Sequence, residues 1–252
     1  MKRLTPLLIL LLALIPAGAF AQAADQPIVR EIFTCKFNDG KDMADLMAAR
    51  DFYLKQMEKA GMKPRQTFVW TSFKAPVDFD FLWASNYPDM ITFAKESDAY
   101  LKSPEGQAAD ERFASVATCS SSLATRRLFF QAEGELNVDP AEGAVLNVGA
   151  CNYRHGHGPE DLDDLVGHAG TIMGNAGVKD GFIAYVSVPD MGAGPNTRDF
   201  YLYGVNSSLE AWATRGKAMQ AAAGIDSLRR HFRTIAQCGT ALFFGREVVA
   251  PD

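Results

Sequence analysis

The sequence lacks several signatures of familiar enzyme and binding classes. No Gly-x-Ser-x-Gly nucleophile motif, Gly-x-Gly-x-x-Gly turn, phosphate-binding loop or His-Glu-x-x-His helix occurs in it. It also lacks a basic surplus, because 25 Lys and Arg face 30 Asp and Glu, a formal net charge of −5. Nucleic-acid binding depends on basic charge, so we expect no nucleic-acid partner. The composition is otherwise that of a folded globular protein.

Long apolar runs are also missing, and the one run present lies at the N terminus. Residues 7–15 are apolar, which is shorter than the roughly 20 residues that a membrane-spanning helix needs. Lys2 and Arg3 precede this run, and the small residues Ala19, Ala21 and Ala23 follow it. Residues 1–23 are therefore predicted to be a secretory signal peptide, with an uncleaved anchor as the alternative. We expect a periplasmic or secreted protein with no membrane span after cleavage.

The four cysteines occupy two matching contexts. Cys35 and Cys151 each follow a strand-like segment, and Cys119 and Cys238 each lie six residues after a phenylalanine. Two further segments of the first half have matches in the second half, at offsets of 116 and 120 residues. These matches are KAGM (59–62) with NAGV (175–178), and LWASN (82–86) with LYGVN (202–206). We therefore predict two repeats, residues 26–131 and 143–249, joined by a linker at 132–142.

Each repeat is predicted to run in the order βαββαβ. In the second repeat, apolar residues recur at helical spacing from Leu162 to Ala176, and short aromatic and β-branched runs follow at 182–188 and 199–205. A helix from Leu209 and a strand at 239–246 complete that repeat. The first repeat reads likewise, with a strand ending at Phe37, a helix at 42–59, strands at 67–73 and 79–84, a broken helical region at 89–117 and a strand near 122–130.

The sheet order predicts how the cysteines pair. A βαββαβ unit with right-handed crossovers most simply forms an antiparallel sheet in the order 4-1-3-2, with both helices on one face. The end of strand 1 then meets the start of strand 4, where the cysteines of each repeat lie. In an oxidising compartment we therefore predict the disulfides Cys35–Cys119 and Cys151–Cys238, over the two other possible connectivities. Four free or metal-bound thiols are the alternative.

This duplicated arrangement resembles the dimeric α+β barrel superfamily, in which two ferredoxin-like units pack sheet to sheet. Residues 82–86, together with the helix that reaches Phe93, are similar to the strand-helix junction of its antibiotic-biosynthesis-monooxygenase branch. The resemblance implies an α+β fold, with two tandem ferredoxin-like βαββαβ repeats packed sheet to sheet as an intramolecular α+β barrel. A barrel made within one chain need not dimerise, so a monomer is compatible with this fold and the sequence does not determine the oligomeric state.

The resemblance does not select a reaction. The superfamily includes haem-degrading and quinol monooxygenases, isomerases, dehydratases and proteins without known activity, and a shared fold does not imply a shared function. In the monooxygenase branch a histidine commonly lies on the helix after strand 3. The corresponding residues here, 91–96 and 211–216, include no histidine. We therefore expect no haem and no other cofactor.

Aromatic and amide side chains are the candidate ligand-binding residues. Strand alternation places Trp83 on one face with other aromatic residues, and an amphipathic ring beside a cleft is a common ligand wall. Asn86 and Asn206 are predicted to occupy equivalent strand-to-helix junctions, where an asparagine caps a helix or orients a ligand. The candidate set is Trp83, Asn86, Tyr185, Tyr203 and Asn206. The alternative for the aromatic members is that they form the barrel core.

Histidines supply a weaker candidate for a metal site. His155 and His157 are separated by one glycine, and acidic residues such as Asp161 follow them. Two imidazoles and a carboxylate are suitable ligands for a transition metal. A polar loop that leads into a helix with an acidic first turn is the simpler interpretation.

The sequence therefore predicts an exported, disulfide-stabilised α+β barrel that binds a small, partly apolar ligand, with no assigned catalysis. Two alternatives stay open. One is a cofactor-independent monooxygenase-like or isomerase-like enzyme, because such barrels offer desolvated pockets in which few polar groups suffice. The other is a protein-interaction module of the cell envelope.

Overall fold

A computed structural model describes residues 27–139, 143–192, 194 and 197–250. The predicted signal peptide, residues 1–23, lies outside the described residues, as does part of the predicted linker. No helix in the described part of the chain is both long enough and apolar enough to cross a membrane.

The two halves of the chain follow the same order of elements. The first half contains β1 (Ile28–Phe37), α1 (Met43–Ala60), β2 (Thr67–Lys74), β3 (Phe81–Tyr87), α2 (Met90–Lys102), α3 (Pro104–Ala114) and β4 (Ala117–Gln131). The second half contains β5 (Ala144–Tyr153), α4 (Pro159–Asn175), β6 (Ile183–Met191), β7 (Phe200–Asn206), α5 (Leu209–Ala221), α6 (Ile225–Ile235) and β8 (Ala236–Val249). The helical region after the third strand is two helices in each half, where the sequence had indicated one broken helix or a single helix.

The eight strands form one closed antiparallel barrel in the order β1-β3-β2-β8-β5-β7-β6-β4. Each half contributes four strands in the predicted order 4-1-3-2, and the halves join through the pairs β2–β8 and β4–β6. Closure of the barrel pairs the backbone N–H and C=O groups of the edge strands, which would otherwise be exposed without hydrogen-bond partners. The predicted α+β barrel within a single chain is confirmed.

The two predicted disulfides are also confirmed. Cys35 and Cys119 are register partners of β1 and β4, and Cys151 and Cys238 are register partners of β5 and β8. Both pairs form disulfide bonds, and no free cysteine exists among the described residues. Two disulfides are typical of an oxidising compartment and unusual in the cytosol.

Each sheet packs on both of its faces. Outward residues of the first sheet, including Phe81, pack with Leu46 and Ala49 of α1. Outward residues of the second sheet, including Phe200, pack with Leu162 and Leu165 of α4. Inward residues of both sheets meet in the space enclosed by the barrel, which we call the lumen. Its apolar core contains Trp70, Ala144, Leu146, Val148 and Phe243.

Local signals explain where the helices begin and end. Asp42 caps α1 by accepting hydrogen bonds from the backbone N–H groups of Ala44 and Asp45, and Gly61 ends the helix at a φ of 66°. Short polar side chains are favoured at the first of these positions, and glycine is favoured at the second because it tolerates positive φ. Asp89 and Ser208 cap α2 and α5, so neither Asn86 nor Asn206 caps a helix as the sequence had indicated.

The register corrects one part of the predicted internal alignment. Cys35 pairs with Phe81 and its counterpart Cys151 pairs with Phe200, so Phe81 corresponds to Phe200. The third strands of the two halves are therefore related by an offset of 119 residues, whereas the match of residues 82–86 with 202–206 had implied 120. A shift of one residue moves every side chain to the opposite face of a strand. Asn206 consequently corresponds to Tyr87 and not to Asn86.

Candidate functional site

A cavity of about 640 Å³ lies between the first sheet and its three helices. Outward residues of β1 and β3 form its floor, and α1, α2 and α3 form its walls. Helix α2 contributes no buried residue, whereas α1 contributes three, so α2 stands away from the sheet and leaves this space open. The volume is within the range of roughly 300–1,000 Å³ that is usual for small-molecule sites. We call this cavity the sheet-helix pocket.

Aromatic rings line the pocket. The ring of Phe113 on α3 lies 5.2 Å from that of Trp83 on β3, centroid to centroid, at an interplanar angle of 67°. Tyr53 on α1 contacts the same phenylalanine, with centroids 6.1 Å apart. Phe93 on α2 meets Tyr87 edge to face at 5.1 Å. Such walls bind flat apolar molecules, because aromatic pairs favour edge-to-face and offset-stacked contacts.

A carboxyl group lies on the sheet side of this apolar pocket. Glu31 of β1 points outward beside Phe33, and the hydroxyl of Tyr87 donates a hydrogen bond to its Oε2 at 3.2 Å. Burial raises the pKa of the Glu31 carboxyl above its ordinary value of 4.5, since the charged form is poorly solvated there. The hydrogen bond from Tyr87 opposes this rise in pKa, and the nearby negative charge of Asp110 adds to it. A carboxylate of this kind is a stronger base than one in water.

A second acid-phenol pair lies on the helix side of the pocket. The hydroxyl of Tyr100 on α2 donates to Oδ1 of Asp110 on α3 at 2.7 Å. The pKa of Tyr100 is raised by burial first and then by this carboxylate. The pKa of Tyr87 is likewise raised, by burial and by the charge of Glu31. Both phenols therefore stay protonated near neutral pH, and each donates its hydrogen to a carboxylate of the pocket.

Charged residues surround the rim of the pocket. Arg65, which precedes β2, forms an ion pair with Glu96 on α2, and its guanidinium lies 5.8 Å from the ring centroid of Tyr87. Lys63 lies beside them. The ion pair is partly exposed, so it ties α2 to the sheet only weakly.

The second half of the chain does not reproduce this chemistry. The register places Asn147 where the first half has Glu31, and Leu202 where it has Trp83. Arg215 of α5 reaches the equivalent region, where its Nη2 donates to Oδ1 of Asn147 at 3.0 Å and its guanidinium stacks on Phe182 at 3.6 Å. An arginine and a phenylalanine thus occupy the space that corresponds to the pocket. The two halves share a fold but only the first presents this acidic, aromatic site.

The structure separates the five ligand-binding candidates into three places. Trp83 lines the sheet-helix pocket. Asn86, Tyr185 and Tyr203 point into the lumen, where Asn86 accepts a hydrogen bond from Nε of Arg30 at 2.9 Å. Asn206 is buried under the helices of the second half, and its amide nitrogen donates to the carbonyl oxygen of Val145 at 3.1 Å.

The four pocket residues that carry the polar chemistry were not among the candidates. They are Glu31, Tyr87, Tyr100 and Asp110. One signal for Glu31 is visible in the sequence, since strand alternation places it on the same face as Val29, Phe33 and Cys35. A carboxylate on an otherwise apolar strand face is uncommon and indicates a buried acid. Tyr100 and Asp110 are brought together only by the packing of α2 on α3.

The histidine candidates form a loop contact. Nδ1 of His157 lies 3.2 Å from Oδ2 of Asp161, which also accepts a hydrogen bond from the backbone N–H of Gly158. His155 is exposed. Among the residues with described positions, no group of three or more His, Cys, Asp or Glu side chains is arranged to hold a metal ion.

The residues of the sheet-helix pocket do not fit a haem group. The described lining has no histidine, and its two cysteines, Cys35 and Cys119, are joined in a disulfide. Tyrosine can bind haem iron as phenolate, but the hydroxyls of Tyr87 and Tyr100 are already hydrogen-bonded to the carboxylates of Glu31 and Asp110. The donor set instead suits an organic ligand with hydroxyl or carbonyl groups.

Comparison with known proteins identifies relatives of the fold. No family model matches the chain, and no curated protein matches its sequence. A candidate monooxygenase from Fusobacterium nucleatum subsp. nucleatum ATCC 25586 is similar in structure, with a TM-score of 0.57, 12% identity, and coverage of 90% of this chain and 95% of the other. An anthrone oxidase-like protein has a TM-score of 0.53 and 14% identity, covering 90% and 96%. A candidate chlorite dismutase has a TM-score of 0.50 and 12% identity, covering 89% and 96%. These similarities show that the chain shares the α+β barrel fold of these structures.

Proposed function

We propose that this protein binds a small, flat, partly apolar molecule in the sheet-helix pocket of its first half. The observation that carries the proposal is the Glu31–Tyr87 pair inside a cavity with aromatic walls. A ring system would stack against Trp83 and Phe113, because both rings line the pocket and already contact each other. A hydroxyl group on the ligand would donate a hydrogen bond to the carboxylate of Glu31 or to the phenol oxygen of Tyr100, because the hydroxyl hydrogens of Tyr87 and Tyr100 are already donated to Glu31 and Asp110.

The comparisons suggest which ligands to test first. Proteins with this fold include a candidate monooxygenase and an anthrone oxidase-like protein. Anthrone is a tricyclic aromatic ketone, so oxygenated polycyclic aromatic compounds form a reasonable first panel. The two acid-phenol pairs of the pocket would favour such compounds over plain hydrocarbons, because a ligand without polar atoms leaves the remaining acceptor positions of the two carboxylates without a donor.

Calorimetric titration with anthrone, 1-naphthol and naphthalene tests this proposal. The second half of the chain supplies substitutions already compatible with the fold, namely Trp83→Leu and Glu31→Asn. Trp83→Leu should weaken binding of every ligand by about two- to tenfold, since an aromatic pair contributes roughly 0.5–1.5 kcal/mol beyond the burial of area that leucine would keep. Glu31→Asn should reduce the preference for 1-naphthol over naphthalene.

Tyr203→Phe is a matched control for these variants. It changes an aromatic side chain of the lumen, on the other side of the barrel wall, and should leave binding unchanged. The proposal fails if no member of the panel binds, or if Trp83→Leu and Glu31→Asn bind every ligand as well as the wild type.

The raised pKa of Glu31 favours catalysis as a second candidate function. A buried carboxylate can accept a proton from a phenol or from a carbon beside a carbonyl group, and desolvation strengthens it as a base. After this transfer the protonated carboxyl of Glu31 could donate a hydrogen bond to the resulting oxyanion, and the hydroxyl of Tyr87, released from the carboxylate, could donate a second. Proton removal of this kind is a first step for a cofactor-independent monooxygenase or an isomerase.

Solvent deuterium exchange into anthrone and oxygen consumption test this activity. Glu31→Asn should reduce the exchange rate by about 10²–10⁴-fold, the usual contribution of a positioned general base. Trp83→Leu should raise KM with a smaller effect on kcat. Absence of both exchange and oxygen uptake, with ligand binding intact, would leave the binding function and remove the catalytic one.

We also propose that the protein is exported and monomeric. The signal-peptide pattern of residues 1–23 and the two disulfides support export. Closure of the barrel within one chain supports a monomer, because the described strands leave no sheet edge for a second copy to join. The mass of the protein recovered from the periplasm and light scattering after gel filtration test these two points.

A further inference from the structure

The lumen contains two arginines at the end of the barrel where β1 begins. Arg30 of β1 is only 6% exposed, and Arg126 of β4 is partly exposed. Arg126 pairs with Ile28, two residues before Arg30 on the same strand, so the two side chains are diagonal neighbours on the inner face. Both lie on the opposite side of the barrel wall from the sheet-helix pocket.

Few protein groups accept hydrogen bonds from these two guanidinium groups. Nε of Arg30 donates to Oδ1 of Asn86, and this is the one hydrogen bond that either guanidinium makes to a described residue. The guanidinium of Arg126 stacks on the ring of Tyr185, 3.7 Å from its centroid, and that of Arg30 lies 5.9 Å from the ring centroid of Phe68. Stacking orients the planar groups and leaves their N–H edges available.

No carboxylate of a described residue forms an ion pair with either arginine, although Glu247 lies in register with Phe68 at the same end of the barrel. The pKa of Arg30 is lowered to about 9, by burial first and then by the positive charge of Arg126. Burial also lowers the pKa of Arg126. The groups that raise these pKa values are Tyr185 and Tyr203, and no carboxylate of a described residue is among them. Burying charge without a counter-ion costs several kcal/mol, and two neighbouring like charges add to that cost.

Further donors in the lumen lack acceptors. The hydroxyl of Ser187, which is fully buried and pairs in register with Arg126, has no hydrogen-bond partner. Nε1 of Trp70, also in the lumen, has none either. Buried polar groups in native proteins normally find partners, so an excess of donors indicates that an acceptor completes the site. An anion would supply both the missing acceptors and the missing negative charge.

We propose that the lumen binds a small oxyanion, a carboxylate or a phosphate group, between Arg30 and Arg126. Arginine presents paired N–H groups that match two oxygens of such an anion, and hydrogen bonds between charged groups are the strongest in proteins. Ser187 donates a further hydrogen bond to the anion. The partial exposure of Arg126 provides the route from solvent. This site does not depend on the function of the sheet-helix pocket, because the barrel wall separates the two.

Calorimetry and thermal unfolding with sodium phosphate and sodium benzoate test this inference, with sodium chloride at matched ionic strength as the reference. Phosphate, benzoate or both should bind at one site per chain and raise the melting temperature above that in chloride. A response to phosphate alone assigns a phosphate-bearing ligand, and a response to benzoate alone assigns an organic carboxylate.

Arg126→Gln should weaken this binding by about tenfold or more, which is the usual effect of losing a hydrogen bond to a charged group. The same variant should melt at a higher temperature than the wild type without anion, because one of two repelling charges is gone. Arg127→Gln is the matched control, since its side chain faces outward and pairs with Asp163. Trp83→Leu should keep the anion response.

The inference is overturned if neither anion binds, or if Arg126→Gln responds to them as the wild type does. Arg30→Gln repeats the test from the second arginine, provided that the variant melts cooperatively.

Discussion

Removal of one disulfide should destabilise the whole barrel by several kcal/mol. Cys35 and Cys119 close a loop with a sequence separation of 84, and Cys151 and Cys238 close one of 87. In the chain-entropy model each closure removes about 4.6 kcal/mol of conformational freedom from the unfolded chain at 25 °C. The double variants Cys35→Ala/Cys119→Ala and Cys151→Ala/Cys238→Ala should each lose about this amount, because the two loops are nearly equal in length.

Urea unfolding, followed by both circular dichroism and tryptophan fluorescence, measures the loss. The pairs β2–β8 and β4–β6 join the two halves, so the loss of either disulfide should lower the stability of both halves together, in one transition. Wild-type protein treated with a reductant should approach the variant that lacks all four cysteines. Each double variant serves as the matched control for the other.

Two results would refute this reasoning. A loss below about 1 kcal/mol would show that the disulfides do not restrict the unfolded chain as the loop lengths require. Two separate transitions, with one half unfolding before the other, would show that barrel closure does not couple the halves.

Two further predictions concern packing and pH. Gly245→Ala should cost at least 1–3 kcal/mol, roughly the cost of overpacking, because an added Cβ would lie 2.2 Å from the ring of Trp70 and 2.4 Å from the carbonyl oxygen of Val69. The control is Gly174→Ala in α4, where an added Cβ would meet no other atom within 4 Å. Its free energy of unfolding, measured by thermal unfolding, should rise by up to about 1 kcal/mol. The pKa of Glu31 lies above 4.5 in the folded state, so the folded protein holds this proton more tightly than the unfolded chain does. The stability that results is fully present at low pH, and it is lost as the pH rises from 4.5 through the folded-state pKa. Glu31→Gln should abolish that part of the decline in melting temperature between pH 4 and 8, and an unchanged profile would contradict the assignment of Glu31 as a buried acid.

The cysteines show how far sequence reasoning reaches. Their positions at the end of strand 1 and the start of strand 4 were readable from hydrophobic runs and from matches between the two halves. Chain connectivity and the handedness of crossovers then restricted the sheet to one simple order. The disulfides followed from this order, because they depend on connectivity rather than on the details of side-chain packing, whereas the barrel was implied by the resemblance to a known superfamily.

The asparagines show where that reasoning fails. Asn86 and Asn206 look equivalent in the sequence, yet the register places one in the lumen and the other under the helices. An alignment error of one residue is small compared with the length of a repeat. Because side chains alternate along a strand, however, it assigns each residue to the wrong face of the sheet. Only the hydrogen-bonded register, anchored by the cysteine pairs, decides which face a residue occupies.

The sequence by itself determined the architecture: a duplicated chain, its strand order and its cysteine pairing, all of which follow from local patterns and connectivity. The tertiary structure alone decided the chemistry. It brought Tyr100 of α2 to Asp110 of α3, placed Glu31 under aromatic rings, and set Arg30 beside Arg126 inside the barrel. These groups are distant in the chain, and strand alternation alone does not show which of them meet. Their pKa values and their hydrogen-bond partners depend on burial, which is a property of the packed molecule.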